Sequence, residues 1–339
     1  MSPYKTVFTT ERGLRHQEAA LQAAPDILDI VMLRQPDRET LKKALADADY
    51  LISERVGVID ADILRAASRL KLILRLGSLT HDIDTAAARE ADVVVCRWPV
   101  ITVIRVAEHL MLQMLALSKK LRESEAIALA ASDQWGESRR TDEDTFAYNW
   151  SGRENVEGLW GKTIGIIGFG EIGAELARRL QGWDVRILYH KRRPLPVCVE
   201  ETLQIRYVDE ETLFAESDYM VVLLPYFAET DMKIGESALA RMKSGAYLVG
   251  CGSGSVIDEA ALARAVISGH LAGAALDTFE WEPICAHNPL IAAAKRGHNV
   301  LLTPHIAAGG AAAAAIARRQ DYTNILNHIA GQPLRYRIV

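Results

Sequence analysis

Apolar and polar positions alternate in blocks along the first hundred residues. Short aliphatic, β-branched runs near 6–9, 27–33, 50–53, 72–76 and 93–96 are separated by segments of helical apolar spacing. Runs of that length between turn residues read as buried strands, and their alternation with helices predicts a parallel sheet covered by helices. The pattern changes at 103–121. There Val-Ile-Arg-Val-Ala-Glu-His-Leu-Met-Leu-Gln-Met-Leu-Ala-Leu is apolar nearly all round a helix, which predicts a buried one with Met111 and Met114 as core filler. Residues 122–160 are polar yet carry Trp135, Tyr148 and Trp150, so they read as an ordered excursion rather than a linker. A second βα series starts at Thr163 and continues through runs at 185–189, 219–224, 246–249, 271–276 and 300–303. The alanine-rich 307–326 reads as a closing helix that returns to the first domain. A chain of 339 residues suits two such α/β domains, each a doubly wound, Rossmann-like parallel sheet.

Within the second series, Thr163-Ile-Gly-Ile-Ile leads into Gly168-Phe169-Gly170-Glu171-Ile172-Gly173 and then into a helical pattern. Strand, Gly-x-Gly-x-x-Gly and helix in that order form a dinucleotide fingerprint. Gly168 permits the tight turn, Gly170 lets backbone approach a pyrophosphate, and Gly173 lets the helix pack on the strand. The helix start then presents free N–H groups and a partial positive charge to phosphate.

Composition narrows the function classes. Hydrophobic residues make up 49% and charged residues 24%, and the net charge is -5, so there is no basic footprint of a general nucleic-acid binder. Cys96, Cys198, Cys251 and Cys285 are far apart and lack metal-ligand spacing, which suits reduced thiols and no metal. The start of the chain lacks an apolar signal core, and no run of about 18 apolar residues is evident. The expectation is a cytoplasmic protein without a membrane segment.

Downstream segments resemble one family, the D-isomer-specific 2-hydroxyacid dehydrogenases. Lys71-Leu-Ile-Leu-Arg-Leu-Gly77-Ser78-Leu79-Thr-His-Asp-Ile-Asp84 is similar to its substrate-loop segment, and Pro99 with Val106-Ala-Glu-His109 to its entry into the nucleotide domain. Leu224-Pro225 with Glu229-Thr230, Asp277-Thr-Phe-Glu-Trp-Glu282-Pro283 and Thr303-Pro304-His305-Ile306 complete the resemblance. It implies a discontinuous, flavodoxin-like substrate domain of residues 1–102 plus 305–339, a nucleotide domain of residues 103–304, and an active site in the cleft between them. It also implies a homodimer joined through the nucleotide domains.

Reduction of a 2-oxo acid needs a proton donor beside the carbonyl oxygen. His305 follows a strand end, where open α/β folds place ligands, and imidazole exchanges protons near neutrality. Glu282 falls where the resemblance places an orienting carboxylate. By the same resemblance Asp277 meets the nicotinamide end of the cofactor, and Gly77, Ser78 and Leu79 form the carboxylate cradle, with Leu79 where glycine is usual. The cofactor-binding residues implied by the resemblance also take in Leu224, Pro225, Thr230, Gly250, Cys251 and Gly252. The clearest departure lies in Gly250-Cys251-Gly252-Ser253-Gly254, where the family carries Asn-x-Ala-Arg-Gly. Ser253 stands at the place of the arginine that polarises the substrate, and it brings no charge. Arg97, Arg105 or Arg75 could fill that role, the substrate could differ, or the protein could bind nucleotide as a regulatory sensor with weakened catalysis.

After the second strand of the nucleotide domain, His190-Lys191-Arg192-Arg193 stands where NAD-preferring proteins carry a carboxylate for the ribose. This basic turn predicts NADP(H) over NAD(H). The leading expectation is an oxidoreductase for a 2-oxo acid and D-2-hydroxy acid pair of the glyoxylate or hydroxypyruvate type.

Overall fold

The computed structural model describes residues 3–54, 57–146 and 148–339, with only the backbone for 311–314. The chain forms two compact units, Met1–Arg105 with Ala308–Val339, and Val106–Ala307. The first holds strands β1 (Tyr4–Thr10), β2 (Leu28–Arg34), β3 (Tyr50–Glu54), β4 (Leu72–Leu76) and β5 (Val94–Trp98), close to the predicted runs. They pair in parallel in the order β2-β1-β3-β4-β5. Side chains alternate across a strand. Val7, Leu51, Ile73 and Val95 therefore join one core with Leu41, Leu45 and Ile63, while Phe8, Ile52, Leu74 and Cys96 join another with Ala20, Tyr322 and Ile325. Two covered faces explain why these strands read as apolar runs rather than alternating ones.

At the C-terminal ends of β1 and β3, a buried ion cluster closes this unit. Glu54 accepts from Thr10 Oγ1 at 2.7 Å, contacts His16 Nε2 at 3.1 Å, and pairs with Arg12 Nε at 3.3 Å. Arg318 contacts His16 and pairs with Asp321 at 2.8 Å. Burial alone would raise the Glu54 carboxyl, but His16, Arg12 and Thr10 outweigh it and hold the group at about 2. Asp321 behaves oppositely, pushed up to about 6 by burial despite Arg318. The single closing helix expected from the alanine-rich tail is two, Ala311–Gln320 and Thr323–Ile329. Between them Tyr322 is fully buried and its hydroxyl donates to Ala20 O at 2.7 Å.

The second unit holds β6 (Thr163–Ile167), β7 (Arg186–His190), β8 (Ile205–Tyr207), β9 (Tyr219–Val222), β10 (Tyr247–Gly250), β11 (Gly273–Leu276) and β12 (Val300–Leu302). They form one parallel sheet in the order β12-β11-β10-β9-β6-β7-β8. The strand order reverses at β6, so the fingerprint loop leaves the sheet at its switch point, where open α/β folds bind ligands. Sequence reading missed β8, a three-residue edge strand with an exposed Arg206 at its centre.

Helix Ile101–Ser118 is long and apolar enough by composition to cross a bilayer, although Arg105 and Glu108 interrupt its apolar residues. Half of it is buried, as suits a core helix. The excursion after it is also more regular than its polarity suggested. Leu121–Ala130 is a helix, and Trp135 packs edge-on against Trp150 with ring centroids 5.8 Å apart.

Candidate active site

The end of β6 turns at Gly168, whose φ of +87° suits glycine and whose missing Cβ would lie 2.7 Å from the Leu223–Leu224 backbone. A Cβ on Gly173 would strike the Phe169 ring at 2.9 Å, and that ring in turn packs on Tyr189. Gly170 differs, because nothing lies within 4 Å of its Cβ position. It precedes helix Glu171–Leu180 and offers no capping side chain, so the start of that helix lies beside the open space at Gly170. Tight packing on two sides and room on the third fit the phosphates of a dinucleotide. Glu171 is buried and Ile172 half-buried, so both belong to the helix's packing.

Opposite this turn, Leu224 O accepts the Ser253 amide at 3.0 Å. Pro225 O accepts the Thr230 hydroxyl at 2.8 Å, which folds the 225–230 loop on itself. The segment after β10 packs backbone against backbone. A Cβ on Gly252 would meet Leu224 O at 2.7 Å, and one on Gly254 would meet Phe279 O at 1.9 Å. A Cβ on Gly250 would crowd Leu276. Ser253 is the half-buried residue between those two contacts. Cys251 is buried, its thiol held well above the usual range by burial and donating to Gln113 Oε1 at 3.4 Å.

At the end of β7 the basic turn splits into two parts. His190 is held in place, with Nδ1 donating to Val208 O at 2.8 Å and the ring stacked on Tyr207. Its Nε2 lies 3.7 Å from Glu210 Oε1, a carboxylate that also pairs with Lys233. The His190 ring is thus engaged at Nδ1 and on one face. Lys191 is half-buried, whereas Arg192 and Arg193 are exposed, with Arg192 over the Phe227 ring at 5.6 Å.

His305 and Glu282 come together in the second unit. His305 Nδ1 lies 2.7 Å from Glu282 Oε2, and Glu282 Oε1 accepts the Phe279 amide at 3.1 Å. One carboxylate thus orients the ring and is itself oriented by the backbone. His305 is 57% exposed and adopts φ +52°, the left-handed region. Asp277 is fully buried. Its Oδ1 accepts from Thr303 Oγ1 at 2.6 Å and Ile306 N at 3.0 Å, and its Oδ2 from Ala307 N at 2.8 Å. His109 Nε2 adds a contact to Thr303 Oγ1 at 3.0 Å. Sequence reading quoted His109 and Thr303 without giving either a role. The available signal was a histidine on one of the most apolar helices in the chain.

In the first unit, Gly77, Ser78 and Leu79 follow β4 and are buried, with Leu79 turned inward at 6% exposure. Gly77 N donates to Trp98 O at 2.8 Å, anchoring the segment to β5. The three arginines considered for the missing charge differ sharply. Arg75 is buried in an ion pair with Asp82 at 2.8 Å. Arg97 lies over the Tyr336 ring at 5.4 Å. Arg105 stands over Gly309, where a Cβ would meet its Nη1 at 2.9 Å, and that buried nitrogen has no partner among the described residues. No cluster of three or more metal-ligating side chains occurs among the described residues.

Residues 111–307 match the family model described as the D-isomer specific 2-hydroxyacid dehydrogenase NAD binding domain. A D-3-phosphoglycerate dehydrogenase of Mycobacterium leprae is 32% identical over 296 residues, covering 87% of this chain and 52% of that protein. The chain therefore spans about half the length of the phosphoglycerate dehydrogenases it matches. A glyoxylate reductase of Thermofilum pendens is 33% identical over 297 residues, covering 86% of this chain and 82% of that protein. A solved protein from Pyrococcus horikoshii OT3 is similar along 100% of this chain and 95% of its own, with TM-score 0.58 and 28% identity. The nucleotide-domain match and the glyoxylate reductase likeness agree with the fingerprint and the His305–Glu282 pair: the chain belongs to the D-isomer specific 2-hydroxyacid dehydrogenases.

Proposed function

We propose that the chain moves a hydride between a nicotinamide cofactor and a 2-oxo or D-2-hydroxy acid of the glyoxylate or hydroxypyruvate type, with NADP(H) preferred over NAD(H). The 2.7 Å His305–Glu282 contact carries this reading, since a histidine oriented through Nδ1 leaves Nε2 to exchange a proton with a substrate oxygen. When bound, the nicotinamide ring supplies or accepts the hydride. Val106–Ala307 acts as the nucleotide domain, with Gly168, Gly170 and the start of helix Glu171–Leu180 holding the pyrophosphate. Met1–Arg105 with Ala308–Val339 acts as the substrate domain, offering the Ser78 and Leu79 amides and Arg105 to the substrate carboxylate. Arg105 takes the part that Ser253 cannot, because it alone of the three candidate arginines has a buried guanidinium nitrogen without a partner among the described residues.

The NADP(H) preference rests on Arg192 and Arg193, both exposed at the end of β7. The nearby carboxylate of Glu210 is already paired with Lys233. A homodimer is proposed from the excursion, where Leu129, Phe146, Tyr148 and Trp160 are between 78% and 82% exposed. Sedimentation of the wild type, and of a Phe146→Ser/Tyr148→Ser variant that should be monomeric, tests the dimer.

The reaction is tested with a panel of 2-oxo acids, NADPH and NADH, beside His305→Ala. Turnover that His305→Ala lowers about 100-fold or more supports it. Absence of turnover in a protein that binds NADPH would favour a nucleotide sensor instead.

A further inference from the structure

Among the described residues, His305 is one of eleven non-glycine residues with positive φ, at +52°. Such a backbone persists only where its surroundings over-determine it. Here one carboxylate does so from both sides. Asp277 receives the Thr303 hydroxyl two residues before His305 and the amides of Ile306 and Ala307 just after it. A hydroxyl has one proton, and Thr303 gives it to Asp277 Oδ1 at 2.6 Å. Its 3.0 Å contact with His109 Nε2 must then be one it accepts, so Nε2 of His109 carries the ring proton. The chain of donors runs from His109 Nε2–H to the Thr303 hydroxyl to Asp277. The His109 side chain is nearly buried, and burial holds it below the usual histidine range even though Asp277 pulls the other way. A neutral ring with one protonated nitrogen matches the single acceptor offered to it.

We infer that His109 is a positioning residue for the proton donor, acting through Thr303 and Asp277 to hold His305 in the left-handed conformation that meets Glu282. This rests on the reading of His305 as proton donor, and its test is chosen to stand apart from turnover. All members of the network belong to the second unit. None of them touches the substrate in this role, so the expected signature is a slower chemical step with cofactor binding intact.

The test uses the full chain with His109→Phe, His109→Gln and Thr303→Val. Amide hydrogen exchange is followed by NMR at Ile306 and Ala307, and kcat and KM are measured with glyoxylate and NADPH. Phe removes the donor, and Val removes the relay at nearly constant shape. Both should speed exchange at the two amides about tenfold or more and lower kcat about tenfold, while KM for NADPH stays within twofold. Gln can supply an N–H in place of Nε2 and should restore most of both. The denaturation midpoint of each variant reports whether the rest of the fold survives. The inference is overturned if His109→Phe and Thr303→Val exchange Ile306 and Ala307 at wild-type rates. It is equally overturned if Gln proves as impaired as Phe. A wild type without turnover would defeat the proposed reaction yet leave the exchange comparison fully readable.

Discussion

Replacing Gly170 by alanine should separate folding from nucleotide binding within one turn of chain. The Cβ position at Gly170 is empty to 4 Å, and its φ of -123° is open to any residue. Stability should therefore change by no more than about 1 kcal/mol, the usual range for changing a helix-capping residue. The added methyl instead occupies the space through which a phosphate would reach the first N–H groups of helix Glu171–Leu180. Losing one charge-assisted hydrogen bond, worth roughly 1.5–3 kcal/mol, should weaken binding roughly 10- to 100-fold. Gly168→Ala is the control with the opposite profile. Its φ of +87° costs about 1–2 kcal/mol for a residue with a Cβ. The 2.7 Å approach to the Leu223–Leu224 backbone adds the roughly 1–3 kcal/mol typical of overpacking. Urea denaturation gives both stabilities, and calorimetry with NADPH and NADH gives both affinities. Wild-type affinity in Gly170→Ala, or equal stability of the two variants, would refute the assignment of this turn to phosphate.

Three further outcomes follow from other parts of the molecule. Gly254→Ala places a Cβ 1.9 Å from Phe279 O, a backbone atom that cannot yield, so a loss above about 4 kcal/mol or failure to fold is expected on denaturation. Glu54→Gln removes a carboxylate held at about 2 against an ordinary 4.5; at roughly 1.4 kcal/mol per pH unit, that contact set contributes about 3 kcal/mol. Because the folded value is depressed, this stability is present above pH 4.5 and lost as pH falls toward 2. The gap between wild type and variant in chemical denaturation should shrink over that window. Arg192→Ser/Arg193→Ser should weaken NADPH about tenfold and leave NADH within twofold; equal losses for both cofactors would move the 2′-phosphate contact elsewhere.

Much of the fold was legible because parallel strands buried on both faces leave continuous apolar runs, and those runs mark eleven of the twelve strands among the described residues. The exceptions have physical reasons. β8 is short, lies at the sheet edge and buries Ile205 alone, so it carries almost no pattern. The break at Asp321 and Tyr322 depends on a tertiary contact, the Tyr322 hydroxyl on Ala20 O, which no local periodicity encodes. At the site, the His305–Glu282 pair and the glycine turn were readable, since each sits in a motif whose spacing reflects its geometry. The inward turn of Asp277, the capture of His190 by Val208 and the part played by His109 were not. Each depends on which partner a polar group finds across the fold, and a single sequence does not state that.

The glycine segment around Ser253 has a consequence for redesign. Gly252 and Gly254 lie directly against carbonyl oxygens of Leu224 and Phe279, and the Ser253 amide is held by Leu224 O, so main-chain contacts fix the loop on both sides of position 253. The side chain at 253 projects from a mount that does not depend on it. An arginine grafted there would extend from a main chain already fixed on either side, so position 253 is the place to ask what an added charge does to the proposed reaction.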